Sequence, residues 1–185
     1  QSYEPQRIIL NLTEKPAVSQ ALIWRTISDT ANPQAQITLA AESPDLDKNA
    51  RTIHAITEEV ELNDKRHVHQ HSIIFKSLKP DTLYAYRVGD VKHWSEWNQF
   101  KTASQTNEPF KFVNFGDPQN NIKSLCSRIF RAAYKKAPDA SFWHFVGDIV
   151  NHGDNDKEWG ELYDALGWIP RVTPMILLPG NQEDP

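Results

Sequence analysis

Leu78-Lys79-Pro80-Asp81-Thr82-Leu83-Tyr84-Ala85-Tyr86-Arg87-Val88 decides how the first hundred residues are read. Pro80 presets a turn backbone and Asp81 tolerates tight turn conformations, so the chain reverses there. Beyond the turn, Tyr84, Tyr86 and Val88 occupy alternate positions and therefore share one face of a strand. Outward from this segment the same grammar repeats. Arg7-Ile8-Ile9-Leu10-Asn11-Leu12 and Ser19-Gln20-Ala21-Leu22-Ile23-Trp24-Arg25-Thr26 are further strands, and Trp94-Ser95-Glu96-Trp97-Asn98-Gln99-Phe100-Lys101-Thr102 is read as a closing strand. Short strands between polar turns predict an all-β sandwich over residues 1–104. Residues 105–109 form a polar linker, a natural boundary.

This first part is similar to a fibronectin type III domain. The resemblance implies that Trp24 is the core tryptophan and that the Tyr84 hydroxyl hydrogen-bonds back across the turn as a tyrosine corner. His67, His69 and His71 place three imidazoles on one side of a strand, a spacing that could bind zinc or copper. Ile73 and Phe75 continue that side, so the face is read as turned towards packing, and no metal is assigned there.

From Phe110 the pattern changes. Residues 110–115 form a nearly continuous apolar run, expected of a strand buried on both faces. Ile122, Leu125, Cys126, Ile129, Phe130 and Ala133 recur at helical spacing, with Lys123, Arg128, Arg131 and Lys135 as a solvated face. Residues 141–146 are a second strand. Asn155-Asp156-Lys157-Glu158 reads as a capping box opening a helix with Trp159, Leu162, Tyr163 and Leu166 on its apolar face. Residues 175–178 are a third strand. The order β-α-β-α-β predicts a parallel sheet with its ligand site beyond the strand C-terminal ends.

Three motifs fall at those ends: Gly116-Asp117-Pro118-Gln119, Gly147-Asp148-Ile149-Val150-Asn151-His152-Gly153, and Gly180-Asn181-Gln182-Glu183. Each sets a hard oxygen donor directly after a glycine at the rim of a sheet, and hard divalent cations favour such donors. In this order the motifs resemble the calcineurin-like metallophosphoesterase superfamily. With a sandwich in front, the arrangement is that of purple acid phosphatases, followed by the N-terminal part of the catalytic domain over residues 110–185.

The resemblance implies a metal-dependent phosphoesterase that hydrolyses phosphate esters at a dinuclear site. Two metal ions (manganese, zinc or iron) would lie roughly 3.5–4 Å apart and hold the attacking hydroxide. Asp148 would bridge them, Asp117 and Gln119 would serve the first metal, and Asn181 the second. The chain departs from the family pattern in three ways. It ends at Pro185, before the later motifs that supply histidine ligands, so it is read as a fragment of a longer protein. Gln182 stands where relatives carry the histidine that protonates the leaving group or holds the phosphate, and an amide cannot exchange a proton near neutral pH. His152 is the candidate substitute. Asn151 replaces the tyrosine of the coloured enzymes, so the site resembles those of colourless relatives. Gln182 also defines the alternative, a degenerate, non-catalytic relative acting as a binding or adhesion module.

Composition bounds these readings. Apolar residues make up 39% of the 185 and charged residues 24%, ordinary for a globular protein. A net charge of -4 argues against a nucleic-acid surface. No apolar stretch approaches the roughly 20 residues that cross a bilayer. A chain beginning at Gln1 is read as an exported, secreted or periplasmic protein that has lost its leader. Its expected partner is a small phosphate ester. Cys126, the single cysteine, permits no intrachain disulfide and reads as a buried thiol. Asn11-Leu12-Thr13 fits a glycosylation triplet but carries no weight.

Overall fold

A computed structural model describes residues 3–183; Gln1, on which the export expectation rests, lies outside them. Two compact units are present, one formed by residues 1–61 and 66–108, the other by residues 62–65 and 109–185.

The first unit carries eight strands: β1 (Gln6–Asn11), β2 (Gln20–Thr26), β3 (Gln34–Leu39), β4 (Arg51–His54), β5 (Ile56–Glu61), β6 (His67–Phe75), β7 (Leu83–Gly89) and β8 (Asn98–Lys101). They pair antiparallel in the orders β5-β6-β2-β1 and β4-β3-β7-β8. Leu10, Leu22, Trp24, Phe75, Tyr86 and Phe100 are fully buried between the two layers. Phe75, Tyr86 and Phe100 meet at ring separations of 5.8–6.2 Å, within the range where aromatic pairs attract. This is a fibronectin III-like sandwich.

The turn before β7 explains the register. Asp81 takes a left-handed backbone with φ 48°, which aspartate tolerates better than most residues. The Lys79 N–H donates to the Tyr84 hydroxyl at 2.8 Å, so the tyrosine corner is present. Tyr84→Phe removes that part-buried hydrogen bond and should cost about 0.5–1.5 kcal/mol, read as a lower urea midpoint at constant m-value.

The closing strand is shorter than the sequence predicts. Asn98–Lys101 forms the continuous ladder with β7, and an isolated bridge joins Trp94 to Gly89. The Trp94 and Trp97 rings lie 4.6 and 4.7 Å by centroid from the Arg87 guanidinium, a cation–π arrangement over the stretch between the bridge and β8. On β6, His67 is exposed and His71 fully buried. The two ring nitrogens of His71 lie 2.9 Å from the Thr26 hydroxyl and 2.8 Å from that of Thr57. Both nitrogens are thereby engaged, in keeping with a packing role.

In the second unit, β9 (Phe112–Phe115), β10 (Phe142–Val146) and β11 (Met175–Leu178) run parallel in the order β11-β10-β9. They are joined through α1 (Ser127–Lys136) and α2 (Asp156–Leu166). Phe115, Trp143 and Phe145 pack on Phe130 of α1. On the other side of the strands Phe110, Phe112 and Phe142 stack on one another, and Phe112 is 52% exposed. The expectation of a strand buried on both faces is therefore corrected: α1 covers one face of β9 only.

A second correction concerns the α1 stripe. A π-helical turn over Ile122–Cys126 precedes α1 and shifts its phase. Ile122, Cys126 and Phe130 face inward, whereas Leu125 and Ile129 turn to solvent. The Cys126 thiol is buried as expected, and burial raises its pKa. The capping box at α2 is only half formed. Asn155 accepts from the Lys157 N–H, but the Glu158 carboxylate reaches the preceding loop instead of the Asn155 backbone. No helix among the described residues is long and apolar enough to cross a membrane.

Candidate functional site

Strand register sets Phe115 beside Phe145 and Val146 beside Leu178, so the three parallel strands end at one edge of their sheet. Asp117 follows two residues beyond β9, Asp148 two beyond β10, and Asn181 three beyond β11. Asp117 and Asp148 share a further property: both take left-handed backbones, with φ 47° and 46°. A non-glycine residue in that region stores strain of about 1–3 kcal/mol, retained where neighbours fix the conformation.

Those neighbours are identifiable. The Gln182 N–H donates to Asp148 Oδ1 at 3.3 Å, which joins the third loop to the second. The Glu183 carboxylate accepts from the N–H groups of Ile149 at 2.6 Å, Val150 at 2.8 Å and Gly180 at 2.7 Å. The Gly153 N–H donates to the Gln182 carbonyl at 3.0 Å. The Asn151 side-chain amide donates to the Gln119 carbonyl at 2.9 Å and ties the second loop to the first. The Cys126 thiol donates to the Pro118 carbonyl at 3.3 Å. All three loops are thus held by one hydrogen-bonded network.

Glycine is required where these loops touch. A Cβ on Gly180 would overlap both Oδ1 and the backbone nitrogen of Asp148. Gly147 sits at φ 86° with the Gly180 Cα 2.9 Å from where its Cβ would be. Only glycine meets both demands, a left-handed backbone and contact with another main chain.

Two carboxylates that bind the loops, Glu183 and Glu158 of α2, have displaced pKa values. Burial pushes Glu183 up, but the backbone N–H groups of Val150, Gly180, Ile149 and Asp148 outweigh it and hold the carboxyl below its usual range. Burial likewise raises Glu158, and the His152 side chain with the N–H groups of His152 and Asn151 brings it below normal. His152 Nδ1 lies 2.9 Å from Glu158 Oε1 and the ring is mostly exposed. The Trp159 indole N–H donates to the Gly153 carbonyl at 2.7 Å and steadies the same loop from α2.

The fold brings the Asp148 carboxylate together with Gly180 and Gln182, and the Gln119 main chain together with Asn151. Asp117, Asn181 and Gln182 are exposed at the rim. Gln119 Oε1 is buried and has no hydrogen-bond partner among the described residues. No group of three His, Cys, Asp or Glu side chains that could hold a metal ion occurs among them either. Of the residues at this edge, Asp117 and Asp148 offer carboxylate oxygens, and Gln119, Asn181 and Gln182 offer side-chain amide oxygens. Glu183 is the residue whose importance spacing does not reveal. Its only sequence signal is an acidic residue three positions after Gly180, within reach of that glycine's N–H.

Comparison with known proteins gives one family and a set of folds. The sequence model of the purple acid phosphatase N-terminal domain matches residues 5–102. No curated protein sequence matches the chain. The structure of purple acid phosphatase PPD1 from yellow lupin (Lupinus luteus) seeds superposes on 97% of the chain with a TM-score of 0.78 at 18% identity. A structure of PhoD superposes on 95% with a TM-score of 0.61 at 13% identity. The chain spans 35% of the first of these proteins and 38% of the second.

Proposed function

Because this chain belongs to the purple acid phosphatase N-terminal domain family, we propose that it serves a metal-dependent phosphoesterase, with residues 1–104 as the leading sandwich, 105–109 as linker and 110–185 as the N-terminal part of a calcineurin-like catalytic domain. One observation carries the reading: Asp117 and Asp148 occupy strained left-handed turns at the ends of adjacent parallel strands, next to the loop that bears Asn181.

The residues present suit hard cations in kind. Gln119 offers a buried amide oxygen without a hydrogen-bond partner among the described residues, and Gly180 leaves room for Asp148 Oδ1 where any side chain would intrude. Asp148 would be shared between two ions, with Asp117 and Gln119 on one and Asn181 on the other. When bound, such ions supply Lewis-acid stabilisation of charge on the phosphoryl group. The chain's own residues orient this set. The Gln182 N–H aims Asp148, and the Gln182 amide can hydrogen-bond a phosphate oxygen without moving a proton. Glu158 engages His152 at Nδ1, which leaves Nε2 to give or take a proton. An extracytoplasmic location and a small phosphate ester as substrate complete the proposal.

The exposed amide of Gln182 favours one second reading, a relative that keeps the fold without turnover. The full-length protein assayed on p-nitrophenyl phosphate with manganese, zinc or iron separates the two. The enzyme reading expects turnover that falls by about a hundredfold or more in Asp148→Asn. It also expects Gln182→His to raise turnover, since a positioned general acid contributes on the order of 10²-fold. A dead wild type that gains activity only as Gln182→His supports the second reading. Wild-type turnover left intact in Asp148→Asn removes the first.

A further inference from the structure

We infer that Glu183 is a positioning residue: its carboxylate pins the second and third loops together through their main chains and thereby fixes Asp148. Three N–H groups converge on it, from Ile149, Val150 and Gly180. Two of these donors are the consecutive residues directly after the strained Asp148, and the third belongs to the glycine packed against the Asp148 carboxylate. An ionised carboxylate accepts such bonds about twice as strongly as a neutral group. The arrangement resembles a nest of main-chain donors around an anion, with the anion supplied from within the chain.

Geometry separates this role from general stability. Among the described residues, the N–H groups that donate to the Glu183 carboxylate lie in the second and third loops. The Gly153 position is closed by the Glu183 backbone, so the third loop is fitted to the second along its length. Glutamine at position 183 would keep one acceptor oxygen and present an amide N–H towards a converging set of donors. Aspartate would keep the charge on a shorter arm.

Only the statement that Asp148 holds a metal rests on the phosphoesterase reading; the latch is testable without it. Amide hydrogen exchange on the metal-free full-length protein, wild type against Glu183→Gln, reads the latch directly. Exchange at residues 148–150 and 180 should accelerate by about tenfold or more, the size of one lost charge-assisted hydrogen bond. Protection in α2 and in β7 should stay unchanged. Glu183→Asp should restore part of the protection and serves as the second variant if Glu183→Gln fails to fold. Manganese titration supplies the other arm, with affinity expected to fall about tenfold to a hundredfold in Glu183→Gln, as for other residues that orient metal ligands. Loop protection unchanged in both variants overturns the inference. Lost loop protection in a protein whose wild type binds no manganese upholds the latch and rejects the phosphoesterase reading.

Discussion

Gly180→Ala is expected to displace Asp148 and to reduce manganese affinity and phosphatase turnover by about a hundredfold, the scale reported for misplacing a reacting group by about 1 Å. The new methyl carbon would overlap Oδ1 of Asp148 and its backbone nitrogen. A flexible side chain could swing aside from the first overlap, but the second is with main chain. That main chain is held at φ 46°, and the N–H groups of the next two residues are bound by Glu183. Relief therefore requires the second and third loops to part. Overpacking of this kind costs about 1–3 kcal/mol, and here the cost falls on the loops that carry the oxygen donors. Activity and metal affinity should drop while the sandwich unfolds at its usual denaturant midpoint. Full activity in Gly180→Ala would show that the contact between these loops does not control the site.

The sandwich should lose stability on mild acidification, because His71 resists protonation in the fold. Burial is the main cause, with His69 adding repulsion and Asp29 partly opposing both, and together they lower its pKa from 6.5 to about 4. The sign follows from linkage. Between pH 6.5 and 4 the unfolded chain binds a proton at this position that the folded chain does not. The stability present above pH 6.5 is therefore lost progressively as the pH falls towards 4. The full span amounts to about 3 kcal/mol, a large share of a domain's margin of about 5–15 kcal/mol. The Thr26 hydroxyl already donates to the Ser28 carbonyl and so can accept from Nε2, but protonation makes Nδ1 a donor as well, which the Thr57 hydroxyl can accept only by turning its own proton elsewhere. Urea unfolding at pH 7.5 and 5 should show the decline, and His71→Gln should flatten it. An equal decline in the variant would place the acid sensitivity in another group.

The sandwich was largely legible because strand alternation and turn chemistry are local signals. Pro80-Asp81 followed by Tyr84 encodes a turn, a register and a hydrogen bond within seven residues. The length of the closing strand is less legible, because Trp94 and Trp97 have high strand propensity yet their rings pack on Arg87 of β7 ahead of the continuous ladder. Periodicity also failed at α1, where the π-helical turn over Ile122–Cys126 moves Leu125 and Ile129 out of a stripe that 3.6-residue counting includes. At the candidate site, glycine followed by aspartate or asparagine at three strand ends located the rim. The residue that binds two of those loops together was not legible. Glu183 acts on backbone N–H groups 33 and 34 residues away in sequence, and main-chain donors leave no mark in side-chain spacing.

Manganese titration of the metal-free full-length protein, followed by electron paramagnetic resonance, tests the shared cradle most directly. Two equivalents should bind, with an exchange-coupled signal that Asp148→Asn abolishes. Asp117→Asn and Asn181→Ala should each weaken binding. Binding of no manganese, or of a single uncoupled ion indifferent to all three substitutions, would contradict the account.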